Sequence, residues 1–297
     1  MSFAAFDAFF TGDARRHLLA AVEMALSEDG PDLTSLAVFS PSDVLRARIT
    51  AKEDTLVAGL PVVPLTLSTL GALAACDLEF PVDEGARAAK GTVVCRMSGP
   101  AVALLKSERV MLNFISHLSG IANLTARYVA ALAGTTTRLL DTRKTLPGLR
   151  YPEKYAVTVG GGTNHRKNLA DMLMLKDNHI DRAGGIPQAM AALRKAYENS
   201  MEKMPPVEIE CRSLEEVTQA VAENPARIMF DNMDPPTMRR ARALVPQGIE
   251  TEASGGVDLD AIAAVAASGV DFVSVGRITH SAPTADFSMQ IESIPQT

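Results

Sequence analysis

The sequence predicts an α/β protein in which a mixed α/β region precedes a closed or nearly closed barrel of strand–helix units. Beyond residue 110, short apolar runs alternate with amphipathic helical segments, the pattern of a parallel sheet whose strands return through helices. Glu210, Asp231, Ser254 and Gly276 end successive apolar runs and are separated by 21, 23 and 22 positions, about one strand–helix unit each. Polar residues interrupt every run at the carboxyl end of its predicted strand, the face on which barrel enzymes assemble their sites.

The first hundred residues carry strand-like, β-branched segments at Arg46 to Gly59 and Gly91 to Gly99, with helix expected between them. Thr55 to Cys76 contains no charge, but its glycines, prolines and hydroxyl residues indicate a loop followed by a packed helix and not a membrane span. From Ser107, a candidate N-cap, apolar residues recur at helical spacing through SERVMLNFISHLSGIANLTARYVAAL, and a domain boundary is expected near residue 110. Six strands are then expected at 137–141, 171–176, 207–210, 227–231, 248–254 and 271–276. Between the later strands, Leu214, Val217 and Val221, then Met238, Ala241 and Val245, then Leu259, Ile262 and Ala266 each line one helix face. Ser213 with Glu216 makes a capping box, and Asp234 before Pro235 marks a helix start.

A chain of 297 residues is long enough for two domains, and 47% hydrophobic against 22% charged residues excludes disordered and low-complexity classes. A net charge of −6 and 5% aromatics argue against a general nucleic-acid or anionic-membrane surface. Cys76, Cys95 and Cys211 fit neither a disulfide framework nor a zinc pattern, and the first sixteen residues lack a signal-peptide pattern, so a cytoplasmic location is expected.

Within that overall charge, residues 138–182 hold nine Lys or Arg against five acids. Arg150, Lys154, Lys167 and Arg182 are expected on a solvated face. Arg143 and Lys144 follow a strand, Lys176 ends one, and His165 and Arg166 follow the run Gly160, Gly161 and Gly162, a placement that aims cations at an anionic ligand. EASGG (Glu252 to Gly256) and SVGRITHS (Ser274 to Ser281) follow the last two strands, where glycine turns present amides to phosphate. Glu210 and Asp231, on neighbouring strands, suit a hydrated Mg²⁺ that shares its shell with phosphates, or acid–base work. His17 and His117 are expected in packing or surface roles; His179 and His280 fall beside the predicted mouth. Two further readings remain at this point. Lys176 could serve a Schiff-base lyase or aldolase, or the barrel could bind a phosphorylated metabolite without catalysis.

The segments SERVMLNFISHLSGIA, LDTRKTLPGLRYPEKYAVTVGGGTNHR, LMLKDNHI, VEIE, MFDNM, EASGGV and SVGRITHSAP together resemble the quinolinate phosphoribosyltransferase family. The resemblance runs from about residue 46 to 290 and implies an N-terminal open-faced α/β sandwich plus an incomplete, about six-stranded TIM-like α/β barrel. Its domains would be 1–110 and 111–284, with a C-terminal tail of about 285–297 packing back on the first. It implies transfer of phosphoribosyl from 5-phosphoribosyl 1-pyrophosphate to quinolinate with decarboxylation, Mg²⁺ as cofactor, and a homodimer or higher homo-oligomer with shared sites. By the same resemblance, Arg109, Arg143, His165, Arg166 and Lys176 bind the dicarboxylate, and Lys144 lies near the pyrophosphate. Glu210 and Asp231 serve ribose and metal, while Ser254, Gly255, Gly256, Gly276 and His280 form the phosphate pocket. The chain differs from the family's usual pattern in the short segment SEDGPDLTS, in Cys211 after Glu210 and in Arg277 after Gly276.

Overall fold

The structure, a computed structural model, describes residues 3–198, 200–201 and 203–292. From the N-terminus run helices α1 (Ala4–Phe9), α2 (Gly12–Glu28) and α3 (Leu33–Val38), strands β1 (Val44–Ala51) and β2 (Thr55–Leu56), and helix α4 (Val62–Thr69). Strands β3 (Asp77–Glu79), β4 (Arg87–Ala88) and β5 (Val93–Pro100) lead into the long helix α5 (Ala101–Ala131). Strands and helices then alternate as β6 (Arg138–Leu140), α6 (Arg150–Val159), β7 (Leu173–Leu175), α7 (Asp177–Ala183), α8 (Ile186–Glu198), β8 (Val207–Cys211) and α9 (Leu214–Ala222). The chain ends with β9 (Arg227–Asp231), α10 (Pro235–Leu244), β10 (Glu250–Ser254), α11 (Ile262–Ala266), β11 (Phe272–Ser274), α12 (Arg277–His280) and β12 (Phe287–Glu292). Among the described residues no helix is long and apolar enough to cross a membrane.

Two compact units emerge. The first comprises the described residues of Met1–Ala126, Thr145–Gly161 and Ile278–Thr297. Its main sheet has the order β12-β1-β5-β3, antiparallel throughout, with Ala47 opposite both Met97 and Ile291. Ile49, Val94 and Cys95 from this sheet, Leu60, Val63 and Leu67 beside or on α4, and Leu104, Met111 and Ile115 on α5 form one fully buried core. Each such aliphatic side chain contributes about 1.5–3 kcal/mol relative to exposure. Helix α5 is continuous because residues 104, 107, 111, 115, 118, 122 and 125 fall three or four apart and are all buried. A Cβ at Gly120 would sit 2.0 Å from the Pro283 carbonyl oxygen, so glycine lets that segment cross the helix.

Three expectations need correction here. Residue 110 lies inside α5 and its neighbours Met111 and Leu112 belong to the first unit's core, so the division falls after Ala126. The chain also returns to the first unit for residues 145–161, and again from Ile278, ahead of 285. Ser107 is not an N-cap, because the helix already begins at Ala101 and the Ser107 hydroxyl donates to the Leu104 carbonyl at 3.0 Å. Lys154, expected in solvent, is fully buried on α6.

The second unit, Arg127–Lys144 with Gly162–Arg277, contains a six-stranded parallel sheet in the order β6-β11-β10-β9-β8-β7. All six expected strands are present: β6, β7, β10 and β11 are shorter than expected, β9 has the expected bounds, and β8 runs one residue further, to Cys211. Thr163 makes a further parallel bridge to Leu140 on the β6 edge. His165, two residues on, reaches Glu208 on β8 near the opposite edge, so the sheet curls into an incomplete barrel. The helix starts are chemically specified: Ser213 Oγ accepts from Glu216 N–H and Asp234 Oδ1 from Thr237 N–H, with Pro235 at the first helical position.

Candidate active site

Side chains two apart in a strand share a face, so Glu208 and Glu210 on β8, Met229 and Asp231 on β9, and Glu252 and Ser254 on β10 are placed in pairs. The parallel register sets Ser254 opposite Asp231 and Glu210 opposite Met229. It sets Met174 opposite Glu208, which carries Lys176 alongside Glu210, and the Lys176 Nζ donates to the Glu210 carboxylate.

Asp141 organises the cationic side of the mouth. Fully buried just after β6, it accepts from Asn164 Nδ2 at 2.7 Å and from the His165 N–H at 2.8 Å, fixing the loop that carries Arg166. Arg166 Nη1 donates to the Met172 carbonyl at 2.9 Å. Burial first, and then the Arg143 guanidinium, hold Arg166 below the ordinary arginine range, with Glu208 and Asp171 opposing. Arg143, in the loop after β6, and Arg166, in the loop before β7, are like charges on one side of the sheet's carboxyl end, an arrangement that favours an incoming anion. Lys144 is exposed, and its N–H donates to Thr142 Oγ1 at 2.9 Å.

Below this rim lies a buried ionic layer. His165 Nε2 is 3.0 Å from Glu208 Oε2 and 3.4 Å from Glu252 Oε2, and Arg227 Nη1 donates to Glu252 Oε2 at 2.9 Å. Burial disfavours a charged imidazole, yet bonding and charge from the two glutamates outweigh it and push His165 up to about 9. The Arg166 N–H, donating to Nδ1 at 2.7 Å, opposes that charge because a protonated Nδ1 could not accept it; the proton facing the acids is therefore on Nε2. Burial and then Glu252 push the Glu208 carboxyl up, whereas His165 and Arg227 hold Glu252 down against its own burial. The His165, Glu208 and Glu252 ligand atoms lie within 4.8 Å of one another, as a metal site would require. The Arg227 guanidinium already supplies positive charge there.

On the acidic side, Asp231 is half-buried and Glu210 nearly buried. Two carboxylates on adjacent strands are hard oxygen donors that fit Mg²⁺, which binds through one or two carboxylates together with phosphates. After β10, Gly255 and Gly256 have φ values of +105° and +59°, a turn closed to most other residues, and Gly256 faces open space. Gly276 follows β11, where the Val275 N–H donates to the Leu140 carbonyl at 3.0 Å. Arg109, exposed on α5, and His280, exposed with Nδ1 2.6 Å from Ser281 Oγ, belong to the first compact unit.

Comparison with known proteins shows the family of the chain. The quinolinate phosphoribosyl transferase N-terminal domain model matches residues 32–119 and its C-terminal domain model residues 121–290. The chain belongs to the quinolinate phosphoribosyl transferase family. It is 41% identical over 260 residues to the probable nicotinate-nucleotide pyrophosphorylase [carboxylating] of Bacillus subtilis (strain 168), covering 88% of each chain. To the nicotinate-nucleotide pyrophosphorylase [carboxylating] of Homo sapiens it is 36% identical, covering 92% of this chain and 91% of the human one. The crystal structure of NadC from Streptococcus pyogenes superimposes with a TM-score of 0.84 at 39% identity, covering 91% of this chain and 94% of that one.

In this member of the quinolinate phosphoribosyl transferase family, Arg143, Arg166, Lys176, Glu210, Asp231 and Ser254 all stand at carboxyl ends of the six-stranded sheet or in the loops that follow. His165 turns inward, its side chain only 5% exposed and directed at acids. Glu208, Glu252 and Arg227 were not among the sequence candidates. The signal was present, since VEIE and TEAS each place a glutamate two residues before the residue singled out, on the same strand face.

Proposed function

We propose that the protein joins quinolinate to 5-phosphoribosyl 1-pyrophosphate, releasing pyrophosphate and CO₂ and giving nicotinate mononucleotide for NAD biosynthesis. The observation that carries this reading is the placement, at the ends of one parallel sheet, of Arg143, Arg166 and Lys176 with two acids beside a glycine turn. Arg143, Arg166 and Lys176 hold the two carboxylates of quinolinate, and the Asp141 carboxylate, bonded to Asn164 and the His165 N–H, fixes the loop that carries Arg166. Ser254, Gly255, Gly256, Gly276 and His280 hold phosphate, and Lys144 faces the pyrophosphate. Glu210 and Asp231 would hold Mg²⁺, which when bound would supply charge neutralisation for pyrophosphate.

The quinolinate nitrogen attacks the ribose anomeric carbon as its bond to pyrophosphate breaks, and the two acids stabilise the developing positive charge. The alkylated ring then accepts the electron pair of the adjacent bond to carboxylate; CO₂ leaves and the ring carbon takes a proton. Arg109 serves the site of a neighbouring subunit in a homodimer, and the protein works in the cytoplasm. A Schiff-base role for Lys176 is disfavoured because its amine is engaged by Glu210. Incubation with quinolinate, 5-phosphoribosyl 1-pyrophosphate and Mg²⁺ releases pyrophosphate and CO₂ in equal amounts; release of neither would overturn the reading.

A further inference from the structure

Asn232 follows Asp231 at the end of β9 and adopts φ of 52°, in the left-handed region. Among the described residues it shares that conformation with one other non-glycine residue, Asn224, at φ 50°. Asn224 follows α9, where helices commonly end in this geometry. Asn232 follows a strand, so a helix end does not account for its backbone, and a residue held there at a functional rim points to a role.

Its contacts supply that role. The Asn232 N–H donates to the Ser254 carbonyl at 2.9 Å, and Nδ2 donates to Asp231 Oδ2 at 2.9 Å. The Asn232 Oδ1 occupies the space above Gly255, only 2.2 Å from where a Cβ on that residue would sit. One amide thus touches both the acid assigned to the metal and the turn assigned to phosphate. Asparagine suits the position because it tolerates positive φ and its side chain both donates and accepts. Aspartate would set a second carboxylate against the first, and alanine would keep the backbone cost while losing the bond.

We infer that Asn232 is a positioning residue that locks the Asp231 carboxylate to the Ser254–Gly256 turn, so that acid and turn receive the phosphorylated substrate as one rigid unit. The inference rests on the proposed reaction. Asn232→Gly isolates the side chain, since glycine accepts the left-handed backbone without strain. Titrating full-length protein calorimetrically with 5-phosphoribosyl 1-pyrophosphate and Mg²⁺, and separately with quinolinate, reads binding independently of turnover. Asn232→Gly should weaken binding of the phosphorylated ligand about tenfold and lower kcat about tenfold or more, the scale seen when a residue orienting a metal-bound group is removed. Quinolinate affinity should not change. Asn232→Ala should show the same binding loss together with a lower Tm, from the added backbone strain. Wild-type ligand binding and kcat in Asn232→Gly would overturn the inference, as would a loss confined to Asn232→Ala. Absence of reaction and of binding in the wild-type protein would instead overturn the proposed reaction.

Discussion

His165 Nε2 lies 3.0 Å from Glu208 Oε2, with the histidine side chain 5% exposed and the glutamate fully buried. This pair sits beneath the rim and not on it, and with Glu252 and Arg227 it fills the interior that apolar residues would occupy in an ordinary barrel. Breaking such a pair by removing one partner costs about 3–5 kcal/mol, because the other charge stays buried.

A pH dependence follows. The folded state pushes His165 above its ordinary value of 6.5, to about 9, so its contribution to stability is complete below pH 6.5 and is lost as pH rises toward 9. Thermal unfolding of the ligand-free protein should show Tm falling across that interval more steeply than in His165→Asn. A variant profile parallel to the wild type would mean that this ring does not titrate there. Glu208→Ala, measured at pH 6.5, should lower stability through the unpaired charge; an unchanged Tm would show that the layer does not hold the barrel.

The barrel strands were legible because each is a short apolar run broken by one polar residue, and RIMFD ends at Asp231 in both sequence and structure. The rim was legible for the same reason. The ionic layer was not, because a glutamate inside an apolar run reads as an interruption until register places Glu208 opposite Arg227 on the next strand. The division within α5 was hidden because its buried stripe runs unbroken from Leu104 to Thr125. Lys154 was misplaced because a lysine in a polar stretch, YPEK, carries no local sign of burial.

Removal of the Asp231 charge should expose its part in the reaction. Asp231→Asn keeps the shape but loses the negative charge at the end of β9, opposite Ser254. Turnover should fall by about 100-fold or more, the scale of one preorganised electrostatic group. Quinolinate binding should be largely preserved, since the cations proposed to hold it do not lie on β9. Near-normal steady-state turnover would remove Asp231 from the mechanism.

Shared sites can be tested by complementation. Arg109 is exposed on α5, and Lys144 is exposed after β6. If Arg109 serves a partner's site, Arg109→Ala and Lys144→Ala chains, each inactive alone, should recover part of the activity when refolded together, because one of the two sites in a mixed dimer then has both residues. No recovery in mixed dimers verified by mass would contradict sharing, and a fully active monomer would contradict the dimer.

The cation cluster sets the last prediction. Arg166 is held below its usual range by burial and then by the Arg143 guanidinium. Lys176 spends its charge partly on Glu210, so the proposed dicarboxylate contacts centre on Arg143 and Arg166. One carboxylate cannot neutralise both guanidinium groups, whereas the two adjacent carboxylates of quinolinate can, and a partly desolvated charge left unmatched costs several kcal/mol. Nicotinate, with a single carboxylate, should therefore be a poor substrate and a weak competitor. Arg166→Ala should weaken quinolinate about 30-fold or more, the effect of truncating one partner of a buried charge pair, and should leave binding of 5-phosphoribosyl 1-pyrophosphate nearly unchanged. Calorimetric titration of both ligands into native and variant protein separates the two effects. Equal affinity for nicotinate and quinolinate, or a change in Arg166→Ala felt only by the phosphorylated ligand, would overturn the assignment of these arginines to the dicarboxylate.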